Sequence, residues 1–269
     1  MRTIDVGKQR GVSFILFPDN QPHVRISGIS DGDDVRVICP IRSSLEMMHL
    51  LQVSNALDNV FAYKRELVIP YLMGARYDRV MQAGDSIDLK VVADLINSCG
   101  FEKVLLFDVH SEVALQLISR SQNVSNIALV QAYEKDNAVL ICPDAGAVKK
   151  VTKYLEWNPR IKEVTYCFKK RDTDGHVKLK VVEPDVCTGR NCVVIDDICD
   201  GGATFMAIGD QIKPKHLTLI VSHGIFSRGF DDLGRYYQHI ITTDSYANHP
   251  DAKGFVTTIN LEGRFPLWI

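Results

Sequence analysis

The sequence predicts an α/β protein of two similar domains, each a mainly parallel sheet flanked by helices, on three observations. Strand-like apolar runs alternate with helical patterns along the whole chain. Several runs, such as "CVVI" at 192–195, have no polar interruption and read as strands buried on both faces, the mark of a parallel sheet covered by helices. The segment "SRSQNVSN" at 119–126 is polar and aperiodic near the middle of 269 residues, so it marks a boundary between residues 1–124 and 125–269.

The strands are expected at "VSFILF" (12–17), "DVRVICP" (34–40), "ELVIPYL" (66–72), "KVLLFDVH" (103–110), "AVLICPD" (138–144), "VTYCF" (164–168), "CVVIDD" (192–197), "LTLIVSHG" (217–224) and "HIITTD" (239–244), each rich in β-formers and closed by polar or turn residues. Ser43 with Glu46 forms a capping box for a helix whose apolar face is Leu45, Met48, Leu51 and Ala56. A second helix is framed by Ser86 and Gly100. The irregular "KKRDTDGH" (169–176) reads as a mobile charged loop.

Composition narrows the class. A formal net charge of -2 with scattered lysines and arginines gives no nucleic-acid footprint, so small-molecule partners are expected. No stretch approaches the ~18 apolar residues of a membrane helix, and the N-terminal apolar run is too short for a signal peptide. The seven cysteines form no C-x-x-C pair and sit mostly in apolar runs, as buried reduced thiols do; a cytoplasmic protein without disulfides is expected.

Four strand ends carry polar residues directly after a buried run: "PYLMGARYDR" (70–79), "FDVH" (107–110), "CPDAG" (142–146) and "IDDICDGGAT" (195–204). Ligands of open α/β sheets bind at that edge. Read singly, Asp108 is also a capping acid, His110 a histidine satisfied by backbone, Arg76 and Arg79 solvated charges, and Asp144 a turn residue. Asp196 and Asp197 are harder to read that way, because adjacent carboxylates repel unless a cation or hydroxyl donors separate them. Gly201 and Gly202 leave backbone N–H groups free to face an anion. The pattern points to a phosphorylated, hydroxyl-rich ligand.

Together with "AGDSIDLKVVADLINSCGFEKVLLFDVHSE", "CPDAGAVKK", "KKR", "SHGIFS" and "TTDS", in this order from about residue 17 to 245, these motifs resemble the ribose-phosphate diphosphokinases, or phosphoribosyl pyrophosphate synthetases. Type I phosphoribosyltransferases share the aspartate loop but lack the Arg-x-x-Arg and Asp-x-His segments. The resemblance implies two phosphoribosyltransferase-like halves and magnesium-dependent transfer of the β,γ-diphosphoryl group of ATP to the anomeric hydroxyl of a ribose phosphate, with AMP leaving. It implies ATP binding by Arg76, Arg79 and His110, with Tyr77 where glutamine is usual; magnesium ligation by His110 and Asp144; and ribose-phosphate binding by Asp196, Asp197, Asp200, Gly201, Gly202, Ala203 and Thr204. Lys169 and Arg171 match the catalytic cations of the family's lid. Phe17 and Asp19 of "FPDNQ" match a loop that reaches a neighbouring subunit's ATP site, which implies a homo-oligomer, a dimer or hexamer.

The chain also departs from the pattern. It is read as starting at the family's second strand and lacking its last helix. The family's Asp-Thr-Gly-Gly-Thr loop is here Asp-Gly-Gly-Ala-Thr, one hydroxyl donor fewer. A phosphate monoester, close to dianionic, calls for more donors than a diester or pyrophosphate linkage. Two acceptors therefore stay open: ribose 5-phosphate, and ADP-ribose in an NAD-salvage role. A catalytically silent nucleotide-binding subunit is a third reading, opposed by Lys169, Arg171, His110, Asp196 and Asp197 all being present.

Overall fold

The structure, a computed structural model, describes residues 1–171, 177–250 and 254–262, with the backbone alone for residues 169–171 and 177. It forms two compact units, Met1–Ser125 and Asn126–Ile269.

The first unit runs β1 (Arg2–Asp5), β2 (Val12–Leu16), β3 (Pro22–Ile26), β4 (Val35–Ile38), α1 (Ser44–Asn59), β5 (Arg65–Ile69), α2 (Asp88–Ser98), β6 (Lys103–Phe107), α3 (Val113–Leu117) and β7 (Ser121–Val124). Its sheet has the order β1-β4-β5-β6-β7 and is parallel throughout. Val37, Leu67, Val104 and Leu106 lie in its core beneath the buried faces of α1 and α2.

Three expectations are corrected here. The run at 12–17 is not a strand of the parallel sheet: β2 pairs antiparallel with β3 as a separate hairpin, and β1 precedes it at the sheet edge. The segment 119–126, read as a polar, aperiodic boundary, contains β7. On α1 the inward face is Met47, Leu50, Val53, Ser54 and Leu57, whereas Leu45 and Met48 are exposed. The helix is apolar on more than one side, so spacing alone does not select the face. The second side carries the hairpin, with Phe14 stacked on His49 at 4.2 Å and Gln52 Nε2 donating to Pro22 O at 2.6 Å. Its N-terminus is the expected one: Ser43 Oγ accepts from Glu46 N at 3.3 Å, while the Glu46 carboxylate reaches past Ser43 to Arg42 N at 2.6 Å.

The second unit runs α4 (Ile127–Gln131), β8 (Ala138–Cys142), α5 (Ala145–Trp157), β9 (Ile161–Arg171), β10 (Val177–Val181), β11 (Asn191–Cys199), α6 (Ala203–Gly209), β12 (His216–Gly224), β13 (His239–Thr243) and β14 (Val256–Ile259). The sheet order is β10-β9-β8-β11-β12-β13-β14, parallel except for the β9–β10 pair. Lys169 and Arg171 therefore end a strand, paired with Leu179 and Val177, and are not part of a loop; their side chains and residues 172–176 lie outside the described residues. All seven cysteines are buried and free, and burial raises the Cys142 thiol to about 12.

This sheet has a topological switch point. From β8 the chain passes to β9 on one side and later returns as β11 on the other, which opens a crevice at their carboxyl ends.

Candidate active site

In the first unit, the segment after β5 continues alongside residue 41: Ile41 N donates to Tyr71 O, and Met73 N to Ile41 O, both at 2.8 Å. Gly74 then turns the chain at φ 78°, and a Cβ there would stand 3.2–3.3 Å from the backbone of Asp88 and Leu89. The turn leaves Arg76, Tyr77 and Arg79 exposed at the carboxyl end of β5. Beside it, β6 is followed by Asp108, buried and in the left-handed region at φ 37°, and then by His110, exposed. The two strand ends are tied together by Asp78, which accepts from Ser111 Oγ at 2.8 Å and pairs with Arg79 Nε at 2.9 Å. Burial opposes ionisation of Asp78, yet these hydrogen bonds and the guanidinium hold its carboxyl below the ordinary range. Asp78 and Ser111 were not singled out from the sequence; their place inside "RYDR" and "DVHSE" was the available signal. Phe17 and Asp19 form the tip of the β2–β3 hairpin. Phe17 N donates to Gln21 O at 3.0 Å, Asp19 Oδ1 accepts from Gln21 N at 3.1 Å, and the Phe17 ring is exposed.

In the second unit, Asp144 caps α5, its Oδ1 accepting from Gly146 N at 2.9 Å and Ala147 N at 3.1 Å. The acid pair lies within β11, not at its end, because the strand continues through Cys199 beside His223 and Gly224 of β12. Asp197 is buried and Asp196 partly so. Desolvation, then the charge and hydrogen bonding of Asp197 and the charge of Asp144, raise the Asp196 carboxyl well above the carboxylate range. Asp144, the cap of α5 just after β8, and the Asp196–Asp197 pair of β11 thus form a field of mutually repelling acids at the switch point.

Asp200, Gly201, Gly202, Ala203 and Thr204 follow. Gly202 is left-handed at φ 79° and leads into α6, and a Cβ there would stand 3.1 Å from Leu233. Asp200 is held by the turn after β12, with Ser227 Oγ donating to its Oδ1 at 2.6 Å and Ser227 N to its carbonyl at 3.2 Å. "SHGIFS" and "TTDS" meet in a buried network. Ser245 Oγ donates to Ser222 O at 3.0 Å and contacts His223 Nδ1 at 2.8 Å, while Thr243 Oγ1 donates to Ser222 O at 2.6 Å. Ser227 and Arg228, in the turn over the loop, were not singled out from the sequence.

Asp196 has a testable consequence. Its folded-state pKa lies above the unfolded value near 3.8, so the folded protein binds the extra proton and stability is lost as pH rises through that window. Asp196→Asn is expected to stabilise the ligand-free protein relative to wild type, by more at pH 8 than at pH 4. Thermal melts of both proteins across that range check the sign.

These features define a class: an α/β protein of two units, with glycine turns after buried strands and, in the second unit, acids clustered at a topological switch point. The sequence model of the N-terminal domain of ribose phosphate pyrophosphokinase matches residues 8–100. Ribose-phosphate pyrophosphokinase 2 of Archaeoglobus fulgidus is 30% identical over 207 residues, 75% of this chain and 69% of its own. Ribose-phosphate pyrophosphokinase of Maricaulis maris is 28% identical over 254 residues, 88% and 79% of the two chains. The crystal structure of phosphoribosylpyrophosphate synthetase from Mycobacterium smegmatis shares the fold at a TM-score of 0.81 and 20% identity, covering 93% of this chain and 85% of that one. The chain belongs to the ribose-phosphate pyrophosphokinase family.

Proposed function

We propose that the protein transfers the β,γ-diphosphoryl group of ATP to the 1-hydroxyl of a ribose 5-phosphate moiety, giving a 1-diphosphate and AMP. The observation that carries this reading is the acid field of Asp144, Asp196 and Asp197 at the switch point, followed directly by a glycine turn suited to a phosphate. In the transfer, the ribose 1-oxygen attacks the β-phosphorus, the bond from that phosphorus to the α,β-bridging oxygen breaks, and AMP keeps the bridging oxygen. Such reactions depend on positioning and on offsetting phosphate charge rather than on protein covalent chemistry.

The roles follow. Arg76 and Arg79 grip nucleotide phosphate or stack on the base, with Asp78 and Ser111 fixing the Arg79 guanidinium. Asp196 and Asp197 accept hydrogen bonds from the ribose hydroxyls, and residues 200–204 hold the 5-phosphate. Lys169 and Arg171 offset charge on the moving diphosphoryl group.

Magnesium fits the donor set. Magnesium prefers oxygen donors and binds through few protein carboxylates plus water and phosphate oxygens, which the carboxylates of Asp144, Asp196 and Asp197 suit. Asp144, in the acid field, would hold it, and His110, after β6 of the first unit, would contact the nucleotide, as the resemblance implies. The ion supplies positive charge to the diphosphate.

The test is nucleotide analysis after incubation with ATP, magnesium and a ribose 5-phosphate compound. AMP formed in step with acceptor consumption is expected, and abolished by EDTA. ADP as the product would overturn the reading.

We further propose that the ATP site is completed by Phe17 and Asp19 of a second subunit. Ile15, Leu16 and Phe17 expose an apolar row on the hairpin, which suits burial against another copy. A Phe17→Ala, Asp19→Ala protein and a His110→Ala protein, each nearly inactive, should regain activity when mixed. With random exchange in a dimer, half the dimers are hybrid and each has one intact site, so about a quarter of wild-type activity is expected. Full wild-type activity in a strict monomer would contradict this.

A further inference from the structure

We infer that Arg228 selects the acceptor: it grips the phosphate that follows the 5-phosphate, favouring a ribose with a 5-diphosphate linkage over a simple monoester. This inference rests on the diphosphoryl-transfer reading above.

The turn that carries Arg228 is locked onto the phosphate loop. Ile225 N and Phe226 N both donate to Cys199 O, at 2.9 and 3.1 Å, and Ser227 binds Asp200 through backbone and hydroxyl. Phe226 is held left-handed at φ 48°, its ring packed on Phe230 at 4.6 Å and His249 at 5.1 Å, while His249 Nε2 lies 3.0 Å from Gly224 O. Gly229 N closes the turn on Phe226 O at 2.8 Å. A strained residue fixed from several sides is a means of holding the next side chain in one place.

Arg228 itself is exposed and makes no ion pair or hydrogen bond with any described residue. Its side chain runs over Gly201: a Cβ on that glycine would stand 3.4 Å from Arg228 Nε, 3.5 Å from Cδ and 3.7 Å from Cγ. Gly201 has no side chain where the resemblance expects a threonine, and the arginine occupies the space. The donor at the edge of the loop is thus a charged planar fork on a long stem instead of a hydroxyl close to the backbone. A fork suits two oxygens of one phosphate, and a long stem reaches further from the backbone N–H groups that would hold the 5-phosphate than a threonine hydroxyl does. In a pyrophosphate-linked acceptor the second phosphate lies beyond the 5-phosphate, within the reach of such a stem.

The test uses the full-length protein with two acceptors, ribose 5-phosphate and ADP-ribose, in wild type, Arg228→Ala and Arg228→Lys. AMP release gives kcat and KM, and calorimetry gives the Kd of each acceptor without ATP. Arg228→Ala should raise the KM and Kd for ADP-ribose by roughly 10- to 100-fold, the range for loss of charge-assisted hydrogen bonds. Its kcat should change little, because the arginine is remote from C1. The loss for ribose 5-phosphate should be at least about tenfold smaller, and Arg228→Lys, which keeps charge but loses the fork, should fall between. Equal losses on both acceptors, no change in ADP-ribose binding, or a wild type that does not bind ADP-ribose would each overturn the inference. If AMP is released with neither acceptor, the transfer reading fails, and the calorimetric ratio still judges Arg228.

Discussion

Lys169→Ala and Arg171→Ala are each expected to lower kcat about a thousandfold while ATP affinity changes only a few-fold, the scale on which cations acting on a transferring phosphoryl group are worth most. The split follows from when the charge appears. On the proposed reading, Arg76, Arg79 and magnesium would already neutralise bound ATP, whereas the moving diphosphoryl group spreads charge that only a nearby cation offsets. The two residues stand two apart at the end of β9, paired with β10, so a strand pair carries them. Steady-state kinetics with direct nucleotide titration measures both quantities. A near-normal kcat in both variants would remove this pair from catalysis.

Gly224→Ala is expected to damage stability and acceptor binding together. A Cβ at Gly224 would stand 2.2 Å from the Phe226 ring and 2.7 Å from Thr242 Oγ1, both buried, so the ring or the strand must move. Overpacking of this kind costs about 1–3 kcal/mol, roughly 2–10 °C of melting temperature for a protein of this size. Displacing Phe226 also frees the turn that holds Asp200, so the acceptor KM should rise more than the ATP KM. Thermal melting and the two KM values check it; an unchanged acceptor KM with a lowered melting temperature would mean that the turn does not position the loop.

The long apolar strands at the centre of each sheet were legible because burial on both faces leaves no room for polar residues. β6, β8, β11 and β12 stand out in the sequence for that reason. The edge strands β1, β7 and β10 and the second strand of the hairpin, β3, were not. "RTID", "PHVRI", "SQNV" and "VKLKV" mix polar and apolar residues, since at least one side meets solvent or a single partner. The inward face of α1 was misread because a helix covered on two sides by a sheet and a hairpin has no polar side to define it.

At the site, the acids and glycines were readable as local patterns after buried runs. Contacts that join distant segments were not. Asp78 meets Ser111 across 33 residues and Ser227 meets Asp200 across 27, and no local period records such a pairing. Arg228 is a case of the same kind, a single charge in a turn whose meaning comes from the glycine beneath it.

The central claim, that two phosphoryl groups move as a unit onto the anomeric oxygen, is tested most directly by product analysis with ATP labelled at the β-phosphorus. The label is expected to leave ATP for the acceptor, the acceptor to gain the mass of both phosphoryl groups at its 1-position, and unlabelled AMP to form in equal amount. Label retained in ADP, with an acceptor heavier by a single phosphoryl group, would contradict it.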